Sequence, residues 1–248
     1  MNYTSKSQLA RVFTESWVAK NGYCLACDSN KLLATRANTP VRDFECDSCG
    51  HGYELKSACR PFGSRVVDGA YSAMMRRIAQ GTVPSFLLMQ YSANASVQSL
   101  IAIHHSLIVP KVIQERKPLS MTARRAGWIG CNLLLADIPP EGKISIISGG
   151  VAVQKHDSRE RFKATERLAG KSIKTRSWTA EVLNLLHSLP AIYFTLSDVY
   201  KFEGHLSQLY PDNRHIQAKI RQQLQVLRDA GLISFEGSGR YRLMYRSS

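Results

Sequence analysis

Apolar residues recur with two different periods in the first 175 residues of the chain. A helical period predicts helices over residues 5–20 and 68–80. Their apolar faces carry Leu9, Val12, Phe13 and Trp17 in the first helix, and Tyr71, Met74, Met75 and Ile78 in the second. Short apolar runs predict strands over residues 41–46, 52–57, 85–91, 100–105, 143–147 and 151–153. A loop is expected around Asn38-Thr39-Pro40. The mixture of elements indicates an α+β domain.

The C-terminal part follows a different order, in which three helical patterns precede a hairpin. The helices are expected over residues 178–188, after a capping box at Thr195-Leu-Ser-Asp198, and over residues 215–229. Two strand-like runs, 232–235 and 241–245, flank a turn at Gly237-Ser-Gly239. This is the order of a winged helix-turn-helix. We therefore assign residues 1–175 to the α+β domain and residues 176–248 to a winged-helix domain.

The third C-terminal helix has two distinct faces. Its apolar face consists of Ile216, Ile220, Leu224 and Leu227, and its polar face carries Gln217, Arg221, Gln222 and Gln225. Arginine pairs with guanine through two hydrogen bonds and glutamine pairs with adenine in the same way, so this face is suited to reading DNA bases. Arg240, at the tip of the wing, could enter a minor groove or hold a phosphate. A merely solvated polar face is the alternative.

Charge changes the picture further. The chain of 248 residues has 33 Lys and Arg against 19 Asp and Glu, a formal net charge of +14, and its hydrophobic fraction of 44% is ample for folded cores. Such an excess favours a polyanionic partner, most often nucleic acid, with a membrane surface as the alternative. Because no signal peptide or apolar run of membrane-spanning length is apparent, we expect a cytoplasmic protein without membrane association. No obligate protein partner is evident.

The segment between the two predicted domains is strongly basic. Residues 155–176 hold eight Lys or Arg and three acidic residues, with weak apolar periodicity. They predict a helix or tether that leads to a boundary near residue 175. The positive charges are interpreted either as a solvated face or as phosphate contacts.

Four cysteines form two C-x2-C pairs, Cys24/Cys27 and Cys46/Cys49, separated by eighteen residues. This spacing is that of a zinc ribbon, in which two tight turns direct four sulfurs at one ion. Gly50 permits the positive φ that such a turn often needs. Four thiolates leave no open position for substrate, so the predicted Zn²⁺ is structural. Disulfides or unrelated core cysteines are the alternative; Cys59 and Cys131 are interpreted as ordinary thiols.

Acidic residues flank the second cysteine pair. Asp43 precedes it, and Glu54-Leu-Lys56 follows it in a predicted strand, where Glu54 and Lys56 share one side and Leu55 faces the core. The two carboxylates could hold Mg²⁺, and the lysine could orient a water molecule and stabilise a phosphodiester transition state. Glu15, on the first helix, could add a contact to a metal-bound water. The E-x-K pattern also occurs at residues 115–117 and 141–143, so a surface salt bridge is the alternative.

Asp43…Glu54-x-Lys56 resembles the PD-(D/E)xK nuclease signature, with Arg42 in place of the proline. The cysteine pairs and four further stretches are similar to the DpnI family of restriction endonucleases across nearly the whole chain; the stretches are residues 68–71, 117–119, 122–132 and 219–225. This resemblance implies a PD-(D/E)xK core of mixed sheet and flanking helices, with an inserted zinc ribbon and a C-terminal winged helix. It also implies type II cleavage of double-stranded, adenine-methylated DNA at GATC sites that contain N6-methyladenine.

A reader of N6-methyladenine needs an apolar surface, because the methyl group projects into the major groove. Trp128 follows Arg124-Arg125 and is our candidate, with the arginines gripping guanine or phosphate. A buried core tryptophan is the alternative interpretation. A non-catalytic zinc and winged-helix regulator is the alternative function, and such a protein would have no use for Asp43, Glu54 and Lys56 on adjacent strands.

Overall fold

The computed structural model describes residues 5–35 and 42–245. Within them the helices are α1 (Lys6–Asn21), α2 (Tyr71–Gln80), α3 (Lys155–Glu166), α4 (Ile173–Ser188), α5 (Leu196–Tyr200), α6 (Glu203–Leu209) and α7 (Ile216–Asp229). The strands are β1 (Leu32–Ala34), β2 (Phe44–Cys46), β3 (Gly52–Ala58), β4 (Arg65–Ala70), β5 (Ser85–Tyr91), β6 (Val97–Ile103), β7 (Ile113–Glu115), β8 (Gly130–Leu134), β9 (Lys143–Ser148), β10 (Val151–Ala152), β11 (Tyr193–Thr195), β12 (Ile233–Gly237) and β13 (Arg240–Leu243). The fold is α+β, as predicted.

A seven-stranded mixed sheet forms the centre of the N-terminal part, in the order β1-β2-β3-β5-β6-β9-β10. Strands β3 and β5 are parallel, and the other neighbours are antiparallel. Alternate residues of β5 point to opposite faces. Leu87 and Met89 pack in a cluster with Val18 of α1, whereas Phe86 and Leu88 pack in a second cluster with Met74 of α2. The sheet is therefore covered by helices on both faces.

A smaller three-stranded sheet, in the order β4-β8-β7, lies beside α2. Strands β7 and β8 form a long hairpin whose pairing continues beyond the strands, since Leu119 N–H donates to the Trp128 carbonyl at 3.0 Å. Strand β4 pairs antiparallel with β8. The sheet thus links the segment before α2 to the hairpin that carries Arg124, Arg125 and Trp128.

Several sequence-based boundaries need correction. Residues 68–70 were expected in a helix but end β4, because they pair with β8, and α2 begins only at Tyr71. Leu9 and Val12 are exposed, because α1 turns Thr14 and Val18 towards the sheet instead. Strands β1, β4, β7, β8 and β11 were not predicted. The loop expected at Asn38–Pro40 and the first predicted strand residue, Val41, lie outside the described residues.

The C-terminal part is a winged helix-turn-helix. The predicted second helix is divided into α5 and α6, and β11, β13 and β12 form a three-stranded sheet in that order. The capping box at Thr195 and Asp198 is present with both of its hydrogen bonds. The turn at 237–239 has positive φ at all three residues, which two glycines accommodate. Buried residues of α4 and α7 form one core with β12 and β13; they include Trp178, Leu183, Ile220, Leu224, Leu227, Ile233 and Leu243.

The basic segment is mostly helical, and several of its arginines bind backbone carbonyls. Residues 155–166 form α3, and α4 contains the boundary expected between residues 175 and 176. Arg159 donates to the carbonyl oxygens of Cys24 and Ser29 at 3.0 and 2.8 Å, which ties α3 to the first cysteine pair. Arg167 donates to the Ala230 carbonyl, and Arg176 donates to the Ser106 carbonyl at 3.1 Å. These three arginines bind backbone carbonyls, whereas the lysines of the segment are exposed; they are Lys155, Lys163, Lys171 and Lys174.

Candidate active site and metal centre

The four paired cysteines converge. The Cys24 and Cys49 sulfurs lie 3.6 Å apart and those of Cys27 and Cys46 lie 3.5 Å apart, with all four within 4.8 Å of one another. Tetrahedral zinc with Zn–S bonds of about 2.3 Å places its sulfurs about 3.8 Å apart, so the spacing fits that ion. Burial opposes ionisation of Cys46, but the amides of Cys49 and Ser48 lower its pKa to about 7. The cluster is consistent with a zinc site.

The second cysteine pair is also the turn between β2 and β3. Gly50 has φ +72° there, as the turn requires, and its N–H donates to the Cys46 carbonyl at 3.0 Å. Asp43 immediately precedes β2, and Glu54 and Lys56 lie on β3. A metal ion at the cysteines would therefore fix the two chain segments that carry the predicted catalytic residues.

Glu54 and Lys56 form a close ion pair, with Lys56 Nζ 2.7 Å from Glu54 Oε1. Asp43 is positioned by the backbone of β3, because its Oδ2 accepts the Leu55 N–H at 2.8 Å and its N–H donates to the Tyr53 carbonyl. Leu55 packs in the apolar cluster on the opposite face, as predicted. Asp43 and Glu54 line one small cavity of about 150 Å³. The structure thus brings the three predicted residues together.

Asp68 completes this group and was missed from the sequence. Its Oδ1 lies 2.6 Å from Lys56 Nζ, opposite Glu54, and only 6% of its side chain is exposed. A β-bulge between Asp68 and Ala70 interrupts the pairing of β4 with β8, and bulges commonly re-aim side chains next to active sites. Asp68 is the first residue of the stretch 68–71, which the sequence singled out without a role. No local signal reveals that a residue twelve positions after Lys56 returns to it.

The electrostatics of Glu54 fit a cation. Burial, reinforced by the nearby Asp68 carboxylate and only partly opposed by Lys56, raises the pKa of Glu54 to about 7. Among residues 5–35 and 42–245 its Oε2 is buried without a hydrogen-bond partner, and Arg77 lies 4.0 Å away. A buried carboxylate oxygen without a partner is a ready ligand for a hard divalent cation. Asp43 would supply further oxygen atoms in the same cavity.

A wider cleft of about 500 Å³ opens on the α1 side of the same residues. It is lined by Glu15 and Thr14 of α1 together with Asp43, Glu54 and Lys56. Glu15 lies in this cleft and pairs with Arg11 at 2.6 Å. The cleft gives the carboxylates access to solvent and places Glu15 within the same site as the predicted catalytic residues.

The β7–β8 hairpin presents the predicted base-reading residues. Arg124 and Arg125 are exposed at its tip. Trp128 is half-buried and lies over Gly130, where an added Cβ would sit 2.8 Å from the indole ring. Trp128 is therefore not a fully buried core residue, and part of its ring is available at the surface.

The four predicted base-reading residues of α7 and Arg240 on the wing are exposed; those of α7 are Gln217, Arg221, Gln222 and Gln225. Two of them already have partners on the preceding helices: Arg221 donates to the Tyr200 hydroxyl at 2.7 Å, and Gln217 donates to Glu203 at 2.8 Å. Gln222 accepts from Lys219. Gln225 lies further along the exposed face. The structure places these residues on one accessible surface and leaves their role in DNA binding a prediction.

His104, His105 and Glu166 form a second cluster with metal-ligating side chains. His104 Nδ1 accepts the Ser106 N–H at 3.1 Å, so the proton of this neutral imidazole resides on Nε2, which lies 3.0 Å from Glu166. Burial and the neighbouring His51 hold the pKa of His104 well below its ordinary value. A protonated Nε2 cannot coordinate a cation. The cluster is a polar connection between α3 and the end of β6.

Comparison with known families gives two matches. Residues 1–171 match the model of the DpnI family, described as the Dam-replacing family, and residues 174–243 match that of the Dam-replacing HTH domain. Across residues 5–35 and 42–245, no helix is long and apolar enough to cross a membrane. The matches indicate a DNA-binding, site-specific nuclease of the restriction type. The chain belongs to the DpnI, Dam-replacing family.

Proposed function

We propose that the protein is a Mg²⁺-dependent, methyl-directed type II restriction endonuclease that hydrolyses duplex DNA at GATC sites containing N6-methyladenine. Residues 1–175 would form a nuclease unit of the PD-(D/E)xK type, and residues 176–248 a DNA-reading unit. The observation that carries the proposal is the cavity shared by Asp43 and Glu54, in which Glu54 Oε2 has no hydrogen-bond partner and Lys56 is adjacent. Family membership supports the nuclease class.

Each residue of the site has a distinct task. Asp43 and Glu54 would hold Mg²⁺, which supplies charge neutralisation at the phosphate and lowers the pKa of a bound water. Lys56 is positioned on the same side of β3 and would orient that water and stabilise charge that develops in the transition state. Asp43 is held through Oδ2 by the Leu55 amide, so its other oxygen could face a cation. Cys24, Cys27, Cys46 and Cys49 would bind structural Zn²⁺.

Two surfaces would read the DNA. On the β7–β8 hairpin, Trp128 would pack on the N6-methyl group while Arg124 and Arg125 contact guanine or phosphate. On the winged helix, α7 would present Gln217, Arg221, Gln222 and Gln225 to a major groove, with Arg240 on an adjacent phosphate or in the minor groove. The exposure of these side chains is compatible with both roles.

A non-catalytic regulator is the competing function. It is favoured by the winged helix and the basic charge, both of which serve DNA binding alone. The buried Lys56 ion pairs weigh against it, because desolvating three charged groups in a cavity has no evident benefit for a protein that only binds DNA.

The deciding experiment compares two matched plasmids, one adenine-methylated at GATC and one unmethylated, each incubated with the protein and Mg²⁺. We expect cleavage of the methylated plasmid only. Equal cutting of both would remove the methyl-directed proposal, and binding without any cutting would favour the regulator. In the same assay Glu54→Ala should lose cleavage, by roughly 10²-fold or more, while it retains DNA binding and zinc. Loss of zinc or of folding in this variant would instead make Glu54 structural.

A further inference from the structure

Asp68 stands out among the polar groups to which the sequence assigns no task. Its carboxylate is buried beside the proposed catalytic lysine rather than at the protein surface. Lys56 Nζ lies between Glu54 and Asp68, at 2.7 and 2.6 Å. If Glu54 binds a cation, Asp68 is the remaining close anion that can hold the ammonium group of Lys56.

The position of Asp68 depends on the strand that carries the base-reading hairpin. Asp68 is directly opposite Cys131 on β8, and Ala70 is opposite Gly130, with Gly69 as the extra residue of the bulge. Two further hydrogen bonds hold the junction between the β4 bulge and β8. Tyr71 N–H donates to the Ile129 carbonyl at 3.1 Å, and the Cys131 thiol donates to the Gly69 carbonyl at 3.5 Å. The bulge is thereby fixed by the residues that immediately follow Trp128.

Trp128 in turn lies directly on this junction. A Cβ at Gly130 would sit 2.8 Å from its indole ring, so the ring touches the backbone opposite Ala70. A displacement of Trp128 would therefore act on a backbone segment one bulge away from Asp68. Packed cores respond to such shifts because they contain few voids.

We propose that Asp68 is a positioning residue that aims Lys56 at the scissile phosphate, and that it couples the seating of Trp128 to catalysis through the β4–β8 bulge. This inference rests on the proposed nuclease function and adds a residue and a connection to it. The coupling would give the β4–β8 strand pair a role, because this pair joins the hairpin to the active site although the two are distant in sequence.

The charged groups around Lys56 come from several elements. Glu54 is on β3 and Asp68 on β4, Asp43 precedes β2, Glu15 lines the cleft from α1, and Arg77 approaches Glu54 from α2. The Cys131 thiol of β8 is also close enough to be affected by Lys56 and Asp68. Burial disfavours the ammonium form of Lys56, but Glu54 and Asp68 outweigh it and raise the pKa of the lysine.

The first test follows Lys56 in the metal-free, full-length protein. NMR signals of its side-chain ammonium group should change in Asp68→Asn, with faster exchange of its protons with water, because the group loses a carboxylate partner at 2.6 Å. Asp68→Glu should restore most of the wild-type signal. Asp157→Asn, an exposed acidic residue on α3, is the matched control and should change nothing. An unchanged Lys56 signal and exchange rate in Asp68→Asn would overturn the proposal, and because no cleavage is needed this test stands even if the protein proves not to be a nuclease.

The second test measures single-turnover cleavage of methylated DNA. We expect cleavage by Asp68→Asn to be slower by roughly 10- to 100-fold. The alkaline limb of its pH–rate profile should lie at lower pH than in the wild type. Its half-saturating Mg²⁺ concentration should be like that of the wild type. Asp68→Glu should recover part of the rate. A large rise in the Mg²⁺ requirement without movement of the alkaline limb would make Asp68 a metal ligand and contradict a positioning role. If Asp68→Asn does not fold, as judged by zinc content and melting, Asp68→Glu carries the same comparison.

The coupling is tested by a double-mutant cycle between Trp128→Ala and Asp68→Asn. Trp128→Ala should reduce the ratio of methylated to unmethylated cleavage in the wild type, and this reduction should be several-fold smaller in the Asp68→Asn background. The control cycle with Asp157→Asn should be additive. Additivity in both cycles would reject the coupling. Wild-type protein that cleaves neither DNA would reject the proposed function instead.

Discussion

At the scale of single residues, Glu54 shows why the proposed site would favour a cation. A carboxyl group buried beside Asp68 is protonated more readily than one in water, and its pKa is raised from 4.5 to about 7. Lys56 offsets this only in part, because Asp68 also accepts from the same ammonium group. The ionised form therefore becomes favourable when a divalent cation takes the place of the proton.

This balance predicts how the Mg²⁺ requirement depends on pH. Below pH 7 the cation must displace a proton from Glu54, so its half-saturating concentration should rise about tenfold for each unit that the pH falls. Above pH 7 the concentration should level off. Initial cleavage rates measured over a series of Mg²⁺ concentrations at several pH values check this, with DNA binding and zinc content measured in parallel as controls. A half-saturating concentration that stays constant between about pH 6 and pH 8 would contradict the assignment of Glu54 as a ligand.

The stability of the metal-free protein should depend on pH through the ionisation of Glu54, and it should fall as the pH rises. Because the folded-state pKa of Glu54 lies above its unfolded value of 4.5, the folded state binds more protons between these two values. The contribution to stability is thus complete below pH 4.5 and is lost as the pH rises through about 7. Glu54 is destabilising when ionised and unliganded, as expected of a functional rather than a structural carboxylate.

The local residues of the site could be predicted, and the distant one could not. Glu54 and Lys56 were placed together because strand residues two apart share a side, which is a property of the local backbone. Asp68 reaches Lys56 only through a bulge whose partner strand lies more than sixty residues further along the chain. The structure places the residues, and their catalytic and DNA-binding roles stay predictions.

At the scale of elements, strong periodicity was informative and short segments were not. Helix α7 and the wing followed directly from the spacing of Ile216, Ile220 and Leu224 and from the glycines of the turn. Helix α1 shows the limit of such patterns. Its apolar residues suggested a face with Leu9 and Val12, yet Thr14 is buried instead, because its hydroxyl is satisfied by the Ala10 carbonyl at 2.9 Å. A hydroxyl that bonds within its own helix can be buried like an apolar group.

The proposed zinc ribbon, formed around Cys24, Cys27, Cys46 and Cys49, is the element whose disruption should affect the candidate active site most. Cys46→Ser or prolonged chelation should remove the metal, loosen the β2–β3 turn and abolish most cleavage. We expect a loss of roughly 3 kcal/mol in stability, equivalent to a fall of about 10 °C in Tm. Metal analysis, melting curves and cleavage assays check this. Cys59→Ser is the matched control, since Cys59 is exposed and lies outside the cluster. Zinc-free protein with unchanged Tm and cleavage would show that the ribbon does not support the site.

At the scale of the whole molecule, the winged helix is attached firmly to the nuclease part. Helix α4 is held by several contacts, since Asn184 donates to the Asp137 carbonyl at 2.8 Å and His187 lies 2.8 Å from the buried Glu141. Glu181 pairs with both Lys111 and His205. The two proposed DNA-reading surfaces thus have a defined arrangement in this structure rather than being joined by a loose tether.

A net charge of +14 predicts that DNA affinity depends steeply on salt concentration. Single surface residues should make contributions to this dependence that can be measured separately. Arg240→Ala, which removes a proposed phosphate contact on the wing, should weaken binding to all sequences and reduce the slope of log K against log salt by about 1. Arg221→Ala should cost about 1–3 kcal/mol, mainly for the cognate sequence. Binding measured over a range of salt concentrations with cognate and scrambled duplexes separates the two effects. Arg228→Ala is the control, because Arg228 is exposed on the same helix but pairs with Asp229 at 3.1 Å. If Arg221→Ala and Arg228→Ala weaken both duplexes equally, α7 binds DNA by charge alone and sequence must be read elsewhere on the molecule.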